Sequence, residues 1–216
     1  MKRLTVILAL IILTTLFACE APVTFNEPQP TDIDNLSKLP KRLQGRYLNF
    51  EDNSTLLVSD KLIQRVYDYD YKFHSNQLDS TEQIHGDTII DIKTKEKTLI
   101  KHDGDSLITH IHYIDTLFKM DNDNVVRKFK GYYFINQRSD KTSWEVKKIQ
   151  LTKGQLILSR ISTKSEIENL EELTETPRDT VSTYEFTVKK KQFKEFIKNE
   201  GFSDSEVFVK QRKNNL

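Results

Sequence analysis

Residues 62–73, Leu62-Ile63-Gln64-Arg65-Val66-Tyr67-Asp68-Tyr69-Asp70-Tyr71-Lys72-Phe73, constrain the fold more than any other stretch. Side chains on an extended strand alternate between two faces. Tyr67, Tyr69, Tyr71 and Phe73 therefore share one face, and Asp68, Asp70 and Lys72 share the other. A helix would scatter both sets around its surface, so the pattern predicts a half-buried strand with its rings toward a core. A calcium role for Asp68 and Asp70 needs further oxygen ligands, and the neighbouring sequence does not supply them.

The same period continues on either side. Residues 45–50 and 55–58 read as a hairpin joined through Glu51-Asp52-Asn53. Further strands are expected at 87–93, 96–102, 106–119, 125–136, 144–151 and 154–161, with turns at His102-Asp103-Gly104-Asp105, Asp121-Asn122-Asp123-Asn124 and Thr152-Lys153-Gly154. An Asp followed by Thr or Ser and two strand formers recurs at Asp87, Asp105, Asp115 and Asp179. Such an Asp closes a turn onto its own backbone before the chain re-enters a strand. Short strands with tight polar turns predict a mainly β fold: an antiparallel meander, a curved sheet or barrel-like.

Two short helices are expected near the C-terminus. Ser165-Glu166-Ile167-Glu168 reads as a capping box opening a helix over 165–175, with Ile167, Leu170 and Leu173 as its apolar stripe. Phe193, Phe196 and Ile197 mark a second helix over 189–198, ended by Gly201. One is acidic and the other basic, so they are expected side by side or on adjacent edges. Residues 181–188 read as a strand between them, and 205–212 fit either a strand or a helix.

The chain opens differently. Lys2 and Arg3 precede an uncharged apolar run over 4–18, which ends at Cys19, the sole cysteine. Fifteen residues make about 23 Å of helix at ~1.5 Å each, short of a ~30 Å hydrocarbon core. Leu16-Phe17-Ala18-Cys19 resembles the lipobox of bacterial lipoproteins, with Phe17 bulkier than the usual middle residue. The resemblance implies a signal peptide at 1–18, acyl chains on Cys19 as the new first residue, and a bilayer as its partner. Glu20 replaces the Asp that retains some lipoproteins at the inner membrane, which points to the outer membrane. An ordinary secretory signal is the rival reading.

Residues 19–40 hold four of the five prolines (Pro22, Pro28, Pro30 and Pro40) and are expected to form a lipidated, Pro-rich tether. Ile33, Leu36 and Leu39 are spaced for a short turn docking on the domain. Residues 41–216 then form one β-rich domain or two related halves, 41–120 and 125–216. Leu43-Gln44-Gly45-Arg46-Tyr47 echoes Phe129-Lys130-Gly131-Tyr132-Tyr133. Leu57-Val58-Ser59 and Ile157-Leu158-Ser159 echo each other at a different offset. The Gly-x-Tyr also weakly resembles the first-strand motif of lipocalins, with Tyr47 in place of Trp, which implies a carrier of a hydrophobic ligand as the alternative function.

Composition narrows the chemistry. The full chain is formally +1, and losing Lys2 and Arg3 brings it to about −1, so no basic field exists for nucleic acid. With Cys19 acylated, no disulfide and no cysteine nucleophile remain. The chain lacks a nucleophile elbow, phosphate loop, dinucleotide fingerprint or zinc-protease helix, so no cofactor and no catalytic residue is assigned. His102, His110 and His112 lie near Asp103, Asp105 and Asp115. On a strand, His110 and His112 point the same way, about 7 Å apart. They are metal candidates only if a third ligand comes from a neighbouring strand. Trp144 is either core or a stacking platform. These residues favour a structural or binding protein of the envelope, with a protein or glycan partner.

Overall fold

The computed structural model describes residues 23–175 and 184–211. Its strands in chain order are β1 (Val23–Phe25), β2 (Gly45–Leu48), β3 (Thr55–Val58), β4 (Leu62–His74), β5 (Glu82–His85), β6 (Thr88–Asp91), β7 (Lys97–Leu99) and β8 (Lys101–Asp103). They continue with β9 (Ser106–Lys119), β10 (Asn124–Phe129), β11 (Tyr132–Arg138), β12 (Trp144–Thr152), β13 (Gln155–Arg160), β14 (Tyr184–Phe186) and β15 (Asp204–Lys210). Helices α1 (Lys164–Thr174) and α2 (Lys190–Lys198) precede β15. The chain is mainly β with two short late helices, as the sequence predicts. Among the described residues, no helix is long and apolar enough to cross a membrane.

The described residues divide into two compact units, one within 23–40 and 120–207, the other within 41–119 and 208–211. In the first, β10, β11, β12 and β13 form an antiparallel meander, and β15 follows β13. Residues 125–136, expected as one strand, are a hairpin instead. Lys130 and Gly131 have φ of 50° and 89°, the left-handed pair that a two-residue hairpin turn requires. Along one edge β12 changes partner: residues 148–152 pair with β13, while Trp144 and Glu145 pair with β1. β1 also pairs in parallel with β14, which makes the sheet mixed.

Residues 23–40 are folded from Val23 onward, not a tether. Val23, Thr24 and Phe25 are buried in β1, and the prolines fall outside that strand, where they remove no ladder donor. The side chain of buried Asn136 accepts from the Gln29 N–H at 2.5 Å and donates to the Gln29 C=O at 2.9 Å. Arg127 donates to the carbonyls of Pro28 and Pro30, and the Leu36 N–H bonds the Val126 C=O. Leu39 is fully buried, without the short helical turn expected there.

Both helices pack on this unit's sheet. Ile167 and Leu170 of α1 and Phe193 and Phe196 of α2 join Phe25, Phe134, Val146, Phe186 and Phe202 in one core. The helices also touch each other, Gln192 Nε2 donating to the Leu173 C=O. The cap of α1 lies two residues before the expected one: Thr163 is the N-cap and Glu166 its box partner. Buried Glu166 accepts from the backbone N–H groups of Ser162, Thr163 and Ser203, which a Glu at position 168 would not reach. The Lys189–Lys191 run sits at the N-terminal end of α2.

In the second unit the antiparallel order is β15, β2, β3, β4, β9, β8, and β5, β6 and β7 form a small separate sheet. Residues 205–212 prove to be strand as far as Lys210. β5 is additional to the expected strands, and residues 96–102 break into β7 and β8 around buried Ile100. Asp87 and Asp105 do precede strands. Asp115 does not: it lies inside β9, beside a bulge where Ile63 faces Phe118 but Gln64 faces Thr116. Asp179 and residues 181–183 lie outside the described residues. Tyr47 and Tyr133, the aromatics of the sequence echo, are both almost fully buried, each two residues after a positive-φ glycine.

Candidate functional site

β4 and β9 pair over thirteen positions, from Leu62 opposite Lys119 to His74 opposite Ser106. β3 accompanies β4 only as far as Val66, and β8 accompanies β9 only at 106–108. Between those ends the two strands form a ribbon with both faces largely in water.

The aromatic face runs opposite to expectation. Tyr69 is 38% exposed, Tyr71 48% and Tyr113 58%. Alternation is as predicted, but what should cover the rings does so only at one end. There, Ile89, Ile100 and Leu107 make a small core with Phe73 and Leu78, and Thr109 Oγ1 donates to the Leu99 C=O. The rings lean on one another: Tyr67 stacks with Tyr113 at 6.2 Å between centroids, and Tyr71 with Phe73 at 5.5 Å. Stacking within the strip turns ring edges and hydroxyls, more than free ring faces, toward a partner.

On the opposite face, the register sets Asp68 across from His112 and Asp70 across from His110. His110 Nδ1 lies 3.0 Å from Asp70 Oδ1, and its Nε2 lies 3.2 Å from Asp68 Oδ1. His112 Nδ1 is 3.7 Å from Asp68 Oδ2. The cross-strand acid that the histidine pair needed is thus Asp68. The sequence holds its signal only in hindsight, since the register that unites residues 68 and 112 is not local. These side chains pair with one another, and among the described residues no group of three or more His, Cys, Asp or Glu is arranged to hold a metal ion. His102 lies apart, its Nε2 3.1 Å from the Gly86 C=O. Asp103 instead pairs with Lys72, whose ammonium holds that carboxyl below the usual range.

Trp144 is core: it is 6% exposed, and the Arg138 guanidinium lies 4.3 Å from its ring centroid. Cys19 lies outside the described residues. No family model matches the sequence, and neither a curated protein nor a solved structure is detectably similar to it.

Proposed function

We propose that this chain is a lipid-anchored protein of the bacterial cell envelope, held at the outer membrane through acylated Cys19, and that its β-rich domain acts by binding. The exposed aromatic ribbon carries the reading. Tyr67, Tyr69, Tyr71, Ile111 and Tyr113 form a continuous strip on paired strands, and a strip of this kind standing in water marks a contact surface. Ring edges and hydroxyls suit a protein partner better than a glycan, which stacks on free ring faces. The lipobox supports the anchor. Only Glu20, Ala21 and Pro22 lie between Cys19 and β1, a reach of at most ~15 Å at ~3.8 Å per residue. The domain is therefore held close to the bilayer. The lipocalin-like alternative gains no support from interiors filled by Tyr47, Leu56, Phe118 and Phe208 in one unit and Phe25, Phe134 and Phe193 in the other.

Detergent partition and intact mass of the processed chain test the anchor: Cys19→Ser is expected to abolish both lipid mass and partition. A mature chain beginning elsewhere without lipid overturns it. For the ribbon, a photo-crosslinking residue at Tyr71 is expected to give a discrete adduct in cells that the same group at Lys153 does not. Equal labelling at both positions overturns the assignment.

A further inference from the structure

The ribbon has an unguarded edge. Loop residues Gly104 and Asp105 close the β8–β9 hairpin on the pair Asp103–Ser106. Residues flanking a two-residue loop exchange both backbone hydrogen bonds, and the pattern then alternates along the strand. Ile108, His110, His112 and Ile114 therefore turn their N–H and C=O groups away from β4. β8 takes only the first of these. Among the described residues, no strand lies opposite His110, His112 or Ile114, and all three side chains are exposed.

Sheet edges of this kind are normally blunted by charge, proline or bulges. Residues 109–114, Thr109-His110-Ile111-His112-Tyr113-Ile114, contain no Asp, Glu, Lys, Arg, Pro or Gly. The opposite edge of the ribbon, on β4, carries Asp68, Asp70 and Lys72. Of the two ribbon edges, that of β9 is the one without such charges among the described residues.

We propose that this edge is a homodimer interface, in which β9 of one copy pairs antiparallel with β9 of a second about His112. The stretch is its own complement in that register. His112 faces its counterpart, and His110 faces the partner's Ile114 in both directions, so the outward N–H and C=O groups of these three residues find mates. The pairing ends at Thr109 and Asp115, because β8 holds the edge from Ile108 on. On the aromatic face Tyr113 meets the partner's Ile111, joining the two tyrosine strips across four strands. Asp115 falls opposite the partner's Thr109, so no two formal charges of one sign face each other. The two-fold pairing uses the same edge of both copies and so closes at the dimer. Anchoring both copies in one bilayer raises their effective concentration.

The inference rests on the ribbon being the contact surface. Sedimentation velocity and amide hydrogen exchange on the full chain in mild detergent test it. A dimer with slowed exchange at the His110, His112 and Ile114 amides is expected. His112→Pro removes an outward N–H while sparing the β4 ladder, and Ile114→Lys places a charge on the edge. Each is expected to weaken dimerisation by at least about tenfold, which is ~1.4 kcal/mol, with the thermal midpoint little changed. Lys194→Ala, on α2 and outside the ribbon, leaves the dimer intact. A monomer at high concentration overturns the proposal, as does a dimer that survives both edge variants. A monomer that still crosslinks from Tyr71 to another envelope protein overturns self-pairing alone and leaves the contact surface standing.

Discussion

Gly201 lies directly against the ring of Phe196: a β-carbon built on the glycine would come within 2.5 Å of the ring's nearest carbon. The chain leaving α2 turns back over its own helix at that point, with the Gly201 N–H bonded to the Phe196 C=O. Phe196 is fully buried, packed edge-on against Phe202 at 5.6 Å. The ring has no room to retreat.

Gly201→Ala is therefore expected to destabilise the chain by ~1–3 kcal/mol through overpacking. Phe196→Ala costs ~3–5 kcal/mol, and Lys194→Ala stays within ~0.5 kcal/mol. In a double-mutant cycle, Gly201→Ala becomes nearly neutral once Phe196 is alanine. Denaturant unfolding of the four variants measures this. Equal cost in both backgrounds rules out the ring contact as the cause.

A second expectation concerns acid. Burial pushes the Glu166 carboxyl upward, but bonds from the N–H groups of Ser162, Thr163 and Ser203 and from the Thr163 hydroxyl outweigh it and hold the group below the usual carboxylate range. A carboxylate lowered in the folded state contributes stability above its unfolded value, and that contribution disappears as pH falls through the folded value. Glu166→Gln should be less stable than wild type at pH 7, and the gap should narrow by pH 3. A gap independent of pH would show that the carboxylate's charge contributes nothing.

The segment at 23–40 supplies a third. Asn136→Leu leaves the N–H and C=O of Gln29 buried without partners, each costing ~1–3 kcal/mol. Residues 26–40 should resist a broad-specificity protease in the wild type and be cut early in the variant. Early cutting in the wild type would mean that this segment is not docked.

Much of the fold was legible because its signals are local. Alternation marked β2, β3, β4, β9, β12 and β13, and Phe193 and Phe196 marked the buried face of α2. The misreadings share a cause. Proline content made residues 23–40 read as a tether, whereas their partners, Asn136 and Arg127, lie about a hundred residues away. The candidate site was half legible. Tyr69 and Tyr71 announced a shared face, but alternation specifies which side chains agree in direction and not whether anything covers them. Asp68 and His110 meet only because a bulge at residues 116–118 sets the register of two distant strands.

The parallel pairing of β1 with β14 has a consequence for the order of events in synthesis. Thr24 and Tyr184, joined by a hydrogen bond, stand 160 residues apart in the chain. A chain made from its N-terminus presents β1 first and its neighbours last, so residues 23–40 wait as exposed backbone while nearly the whole protein is made. Contacts this distant form late. Residues 23–40 therefore stay uncovered until the final helices and strands arrive, and on the proposed lipoprotein reading that interval leaves the neighbouring Cys19 open to the processing enzymes.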